Sequence, residues 1–93
     1  MNIEYSPRFN KTYKKLHKSH QKQIQNIIEV IKEKPTIGDE KVGDLSGFRV
    51  HKGRLDNQQI LIIYTYCDDS NVLRFIDFGS HENFYRDVKK HIK

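Results

Sequence analysis

The sequence predicts an α+β fold: two N-terminal helices packed on a three- to four-stranded antiparallel sheet, followed by a C-terminal helix. Three observations carry this expectation. Ile24, Ile27, Ile28 and Ile31 stand at offsets 0, 3, 4 and 7, the spacing of one face of a helix. Three runs rich in apolar and aromatic residues, Phe48–Lys52, Ile60–Tyr64 and Val72–Phe78, then follow, separated by turn residues. After the last run, Gly79 breaks the strand pattern and Ser80 supplies a helix N-cap, because its hydroxyl can accept a bond from an orphan backbone N–H.

Taken in order, Asn2–Tyr5 alternates and reads as a short edge strand. Ser6-Pro7 starts the first helix, with serine as cap and proline where its missing N–H costs nothing. Phe9, Tyr13 and Leu16 make its apolar stripe, Lys11, Lys14, Lys15 and Lys18 lie largely away from it, and the helix is expected to end near His17–Ser19. The second helix, capped by Ser19, carries the isoleucine stripe and stops at Pro35. Thr36–Gly47 reads as a loop. Phe48–Lys52 alternates with period two, so Phe48 and Val50 are expected to face the core while Arg49 and His51 share the other, open face. Gly53–Gln59, with the turn pair Asp56-Asn57, closes a hairpin. Ile60–Tyr64 is continuously apolar, as a central strand covered on both faces should be, and continues through Cys67. Asp68–Asn71 is a second turn, Val72–Phe78 the last strand, and a helix from His81 with Phe84, Val88 and His91 or Ile92 inward ends the chain.

The chain of 93 residues suits one domain, 1–93. With 35% hydrophobic residues and no tryptophan it favours a shallow surface site over an enclosed pocket. The one cysteine, Cys67, excludes an internal disulfide and a cysteine-cluster metal site. No apolar run reaches membrane-spanning length and the start shows no signal-peptide pattern, so a cytoplasmic protein without membrane partners is expected. The formal charge is +5, and all of the excess lies in residues 1–38, which hold eight Lys or Arg against three Glu. That asymmetry suits a polyanionic partner; the plainer reading is a solvated helix surface.

Five histidines invite a zinc reading, but none are spaced as metal ligands beside a carboxylate, and no Gly-rich phosphate loop or nucleophile-elbow serine appears. Neither a metal nor a cofactor is expected. What remains is Arg49, His51, Lys52 and Arg54 on one hairpin, with His81 and Tyr85 at the corner after the last strand. A histidine at a helix N-terminus lies where anions bind readily. If hairpin and corner meet, imidazoles and fixed cations suit cleavage of RNA through its own 2′-hydroxyl: a base takes that proton, cations stabilise the phosphorane, and an acid protonates the leaving oxygen. Tyr85 can stack a base. The plainer readings stand beside these: His81 as an exposed first-turn residue, Arg49 and Arg54 paired with Asp44 or Asp56, Tyr85 as core.

The order helix, helix, D-L-S-G-F-R-V-H, I-L-I-I-Y, then V-L-R-F-I-D-F-G-S-H-E-N-F-Y resembles the RelE/ParE superfamily of bacterial toxin–antitoxin toxins over nearly the whole chain. The Gly-Ser-His corner is most similar to the YafQ-type branch, in which the matching histidine is catalytic. The resemblance implies a bacterial mRNA interferase acting at the ribosome, needing no metal, and an antitoxin protein that blocks it, with a higher-order toxin–antitoxin complex as a further expectation. It implies His81 as the main acid or base and Tyr85 as the residue that positions the message. His51 falls near a second family histidine, and the basic helices would meet ribosomal RNA. In the RelE branch the position of Leu61 holds an arginine, and Lys52 and Arg54 match the RelE lysines only loosely, so a histidine-based site is preferred. ParE relatives share the fold but poison DNA gyrase, which makes a gyrase inhibitor the main rival; a non-catalytic basic RNA-binding module is the third reading.

Overall fold

A computed structural model describes residues 1–80. The C-terminal helix expected from His81 onward, with Phe84, Val88 and Ile92, lies outside the described residues, as do His81 and Tyr85 themselves. Strand β1 (Asn2–Tyr5) leads into helix α1 (Pro7–Lys14) and helix α2 (Lys18–Glu33). A two-residue strand β2 (Asp39–Glu40) and a 3-10 turn at Gly43–Leu45 precede the meander β3 (Arg49–Leu55), β4 (Gln58–Cys67) and β5 (Val72–Ser80). The sheet has five strands in the order β1-β5-β4-β3-β2. It is mixed: β1 runs parallel to β5, and the other pairs are antiparallel. This corrects the smaller, wholly antiparallel sheet expected above. Strand direction leaves little trace in so short a run, and Asn2 and Val72, which pair, are far apart in the chain.

Ser6 caps α1 as anticipated, its Oγ accepting the Phe9 N–H at 3.0 Å and donating in turn to the Ile76 carbonyl. The helix stops at Lys14, earlier than its stripe suggested, and His17 rather than Ser19 precedes α2. Gln21 ties the junction together, because its amide donates at 3.0 Å to the Tyr13 carbonyl, which also accepts the Leu16 N–H at 3.1 Å.

Residues opposite one another on paired strands share a face, and this sheet buries both. On one face Ile60, Ile62, Tyr64, Leu73, Phe75 and Phe78 meet Phe9 of α1 and Ile24, Ile28 and Ile31 of α2. On the other, Val50, Leu61 and Ile63 pack with Leu45. The expectation that Ile60–Tyr64 is covered on both sides holds. Ile63 pairs with Asp77 while Tyr64 pairs with Phe75, which makes Ile76 the extra residue of a bulge. Just beyond it the buried Asp77 carboxylate accepts from Arg8 Nε at 2.6 Å, from Thr12 Oγ1 at 3.4 Å and from the Phe78 N–H at 2.8 Å. It ties α1 to β5. Asp77→Ala leaves a buried N–H without its acceptor, though Arg8 keeps access to water. Chemical denaturation is expected to show a loss of about 2–3 kcal/mol. Asp77→Asn, which retains one acceptor oxygen, should recover part of it.

Candidate functional site

The β3–β4 hairpin is longer and tighter than its sequence suggested. Gly53 does not begin a loop; it pairs with Ile60 inside β3, and only Asp56 and Asn57 turn. A Cβ on Gly53 would sit 2.7 Å from Ile27 Cδ1, so the glycine is where α2 closes on the strand. Asp56 adopts a left-handed conformation, φ +55°. Two side chains of α2 hold it there: Gln23 accepts the Asp56 N–H at 2.8 Å and donates to its carboxylate at 3.0 Å, while His20 Nε2 lies 2.8 Å from the other oxygen. These bonds, from His20 first, hold the Asp56 carboxyl below its ordinary pKa. Nothing in the spacing of Gln23 and Asp56 announces the contact, and sequence reasoning missed it.

β5 continues through Gly79 to Ser80, where a break and a helix cap were expected: Gly79 pairs with Leu61 and Ser80 with Ile60. Gly53, Ile60 and Ser80 therefore form one row across three strands. Two strand spacings separate Gly53 from Ser80, roughly 10 Å. The described chain ends beside the hairpin, at the level of Gly53 and Arg54.

The four hairpin candidates divide between the faces. Lys52 pairs with Leu61 and Arg54 with Gln59, on the face of the Val50, Leu61 and Ile63 cluster. Both are exposed, and among the described residues neither has a hydrogen-bond or ion-pair partner. Arg49 pairs with Tyr64 and His51 with Ile62, on the helix-packed face. The exposed cations of the hairpin are thus Lys52 and Arg54, on the face away from the helices, and not Arg49 and His51 on an open face as expected. The period was read correctly, but with two apolar clusters, facing a core does not say which one: Val50 belongs to the cluster away from the helices.

The Arg49 guanidinium donates to the carbonyls of Gly38, at 2.9 Å, and Thr36, at 3.3 Å. Beside it Tyr64, wholly buried, accepts the Gly38 N–H and donates to the Pro35 carbonyl, each at 2.8 Å. Burial pushes the Tyr64 hydroxyl above its ordinary pKa, against the opposing Gly38 bond. Together they pin the segment between α2 and β2. His51 is half-buried, and desolvation lowers its pKa although Asp39 pulls the other way. Burial there favours the neutral form of the ring. Lys11, Lys14, Lys15, Lys18 and Lys22 are all exposed, as their place off the apolar stripes implied.

Among the described residues no group of three His, Cys, Asp or Glu side chains is placed to hold a metal ion, and no helix is long and apolar enough to cross a membrane. What the hairpin offers is a pair of cations two residues apart on one face, suited to a phosphate-bearing chain.

Solved structures share this fold. A free-state variant of the E. coli toxin RelE aligns with 99% of this chain and 97% of its own at 21% identity and a TM-score of 0.73. The intact E. coli RelBE toxin–antitoxin complex contains a chain that aligns over 87% of this one and 96% of its own, at 21% identity and a TM-score of 0.68. A YoeB/ParE toxin from Agrobacterium tumefaciens matches 87% of this chain and 99% of its own, at 17% identity and a TM-score of 0.70. At such identities the likeness is one of fold. No curated protein sequence matches the chain. The sequence profile described as ParE-like toxin of type II bacterial toxin–antitoxin system does match, over residues 3–89. With its profile spanning most of the sequence and a RelE-type sheet and helix pair beneath it, this chain belongs to the ParE-like family of type II toxins.

Proposed function

We propose that this toxin is an endoribonuclease that cleaves mRNA on the ribosome by attack of a 2′-hydroxyl on the adjacent phosphorus. The observation that supports the reading is the Gly53–Ile60–Ser80 row, which brings the residue before His81 to the hairpin end where Lys52 and Arg54 stand. In this scheme His81 exchanges protons with the RNA. A base takes the 2′-hydroxyl proton, the P–O bond to the 2′-oxygen forms, the bond to the 5′-oxygen breaks, and an acid protonates that leaving oxygen. Lys52 and Arg54 stabilise the negative charge that builds on the phosphorane, arginine through its planar donors. Tyr85 stacks a base of the message. His51, whose neutral form burial favours, is a second proton acceptor at the margin of its face. The exposed lysines of α1 and α2 contact ribosomal RNA. The RelBE complex among the similar structures supports a cognate antitoxin as the partner that blocks the chain.

His81→Ala is expected to lower cleavage by about 10²–10⁴-fold, the usual contribution of a positioned general acid or base. Mapping mRNA 5′ ends and growth after induction checks this. A well-folded His81→Ala chain that still cuts mRNA would refute the assignment. The rival, gyrase poisoning, would show as cleaved-complex accumulation in a supercoiling assay with mRNA left whole.

A further inference from the structure

The hairpin that carries Lys52 and Arg54 outruns the rest of the sheet. β5 pairs with β4 from Ile60 to Cys67, and β2 pairs with β3 at Arg49 and Val50. Among the described residues, Arg54, Leu55, Gln58 and Gln59 therefore form a ribbon of two strands, with the turn Asp56-Asn57 at its tip. Residues 56–59 are exposed. A two-stranded ribbon is by itself marginally stable in water. Its tip also holds Asp56 in the left-handed region, φ +55°, a conformation that costs free energy in a residue with a Cβ.

One stripe of α2 steadies this ribbon. His20, Gln23 and Ile27 stand at offsets 0, 3 and 7, so they line one side of the helix. At the base of the ribbon Ile27 fills the space that the missing Cβ of Gly53 leaves, and Leu55 packs on the core cluster of Ile24 and Ile28. At the tip Gln23 makes two bonds to a single residue: it accepts the Asp56 N–H at 2.8 Å and donates to Asp56 Oδ1 at 3.0 Å. His20 Nε2 lies 2.8 Å from Oδ2. The twin bond needs an amide, because neither a carboxylate nor an ammonium both accepts from an N–H and donates to a carboxylate.

We propose that Gln23 is a positioning residue for the cleavage reaction: by clasping Asp56 it fixes the turn, and through the turn it fixes Arg54, two residues back along β3. This role rests on the function proposed above, in which Arg54 stabilises charge on the phosphorane. Arg54 lies on the face away from the helices, so Gln23 acts on it through the backbone of the ribbon. Among the described residues Arg54 has no hydrogen-bond or ion-pair partner of its own, so its place follows that of the ribbon. Misplacement by about 1 Å can cost 10²-fold in rate. Lys52 differs. Its row, Lys52-Leu61-Gly79, crosses three strands, so Lys52 is held without help from the turn.

Double-mutant cycles on the full chain test this, read as single-turnover mRNA cleavage per folded molecule on the ribosome. Gln23→Ala is expected to slow cleavage about tenfold in the parent and in the Lys52→Ala background, and less than about twofold once Arg54 is alanine. Hydrogen exchange at the Leu55 and Gln58 amides, which flank the turn, should quicken, while Leu61–Ile63 stay protected. Asp56→Asn keeps an acceptor for Gln23 and tolerates the left-handed turn, so it should retain most of the rate. Asp56→Gly relieves the turn but offers Gln23 no acceptor, and it should be the slower of the two. Equal losses in all three backgrounds would overturn the inference. So would a lower denaturation midpoint with the rate per folded molecule kept, or Asp56→Gly cutting as fast as Asp56→Asn. A parent chain that leaves mRNA whole removes the nuclease reading and this role together, whereas additive losses in an active chain remove this role alone.

Discussion

Tyr64→Ala is expected to cost about 3–5 kcal/mol, a large share of the roughly 5–15 kcal/mol that holds a domain folded. The ring is wholly buried, 5.9 Å from the Phe75 ring, and its hydroxyl satisfies both the Gly38 N–H and the Pro35 carbonyl. Tyr64→Phe keeps the packing and removes the hydroxyl, so a smaller loss of about 1–3 kcal/mol is expected. Gly38 meets the same hydroxyl from the other side: a Cβ there would lie 2.6 Å from Tyr64 Oη and 2.9 Å from Cε1. A buried ring cannot swing away, and Gly38→Ala should cost about 1–3 kcal/mol by overpacking. The pair gives a sharper test than either change alone. In the double variant Tyr64→Phe/Gly38→Ala the shortest clash is gone, so its cost should fall short of the sum of the two. Denaturant midpoints of the four proteins measure this. Simple additivity would mean that Gly38 and Tyr64 do not interlock.

The second large effect concerns activity and separates the hairpin cations by face. Lys52→Ala and Arg54→Ala are each expected to lower mRNA cleavage by on the order of 10²-fold, as loss of a charge-stabilising donor does. Stability should stay within about 0.5 kcal/mol, since both side chains are exposed and, among the described residues, make no hydrogen bond or ion pair. Arg49→Ala is expected to do the reverse. Its guanidinium holds the Thr36 and Gly38 carbonyls, so its loss should cost about 1–2 kcal/mol while cleavage per folded molecule is largely kept. Arg49→Lys should not restore stability fully, because an ammonium cannot reproduce the planar fork. Single-turnover cleavage rates beside denaturation curves give both readouts. An Arg49→Ala chain as stable as the parent but inactive would return Arg49 to the site.

Much of the architecture was legible in local pattern. Ser6-Pro7 marked the start of α1, the isoleucine spacing marked α2, and Asp56-Asn57 marked the hairpin turn. Each rests on chemistry within a few residues, a cap, a stripe or a turn conformer. The errors fell where a residue type has two local uses. Gly53 and Gly79 were read as breaks, yet both pair within strands; at Gly53 the missing Cβ makes room for Ile27, which only the packed helix reveals. The alternation of Arg49, Val50, His51 and Lys52 was correct in period, but the period does not label faces when both are apolar.

The candidate site divides the same way. Residue chemistry alone singled out Arg49, His51, Lys52, Arg54, His81 and Tyr85, and the order of motifs alone pointed to the toxin family that the profile match establishes. Position in space was decided elsewhere. Gln23 and His20 reach the hairpin turn from 33 and 36 residues away, and β1 pairs with the last strand of the sheet. Propensity, capping and periodicity act over one or two turns of chain, so the sequence by itself determined which segments become helix or strand. Which face a cation occupies, and which backbone edge is left open, follow from long-range register, and only the assembled sheet sets that.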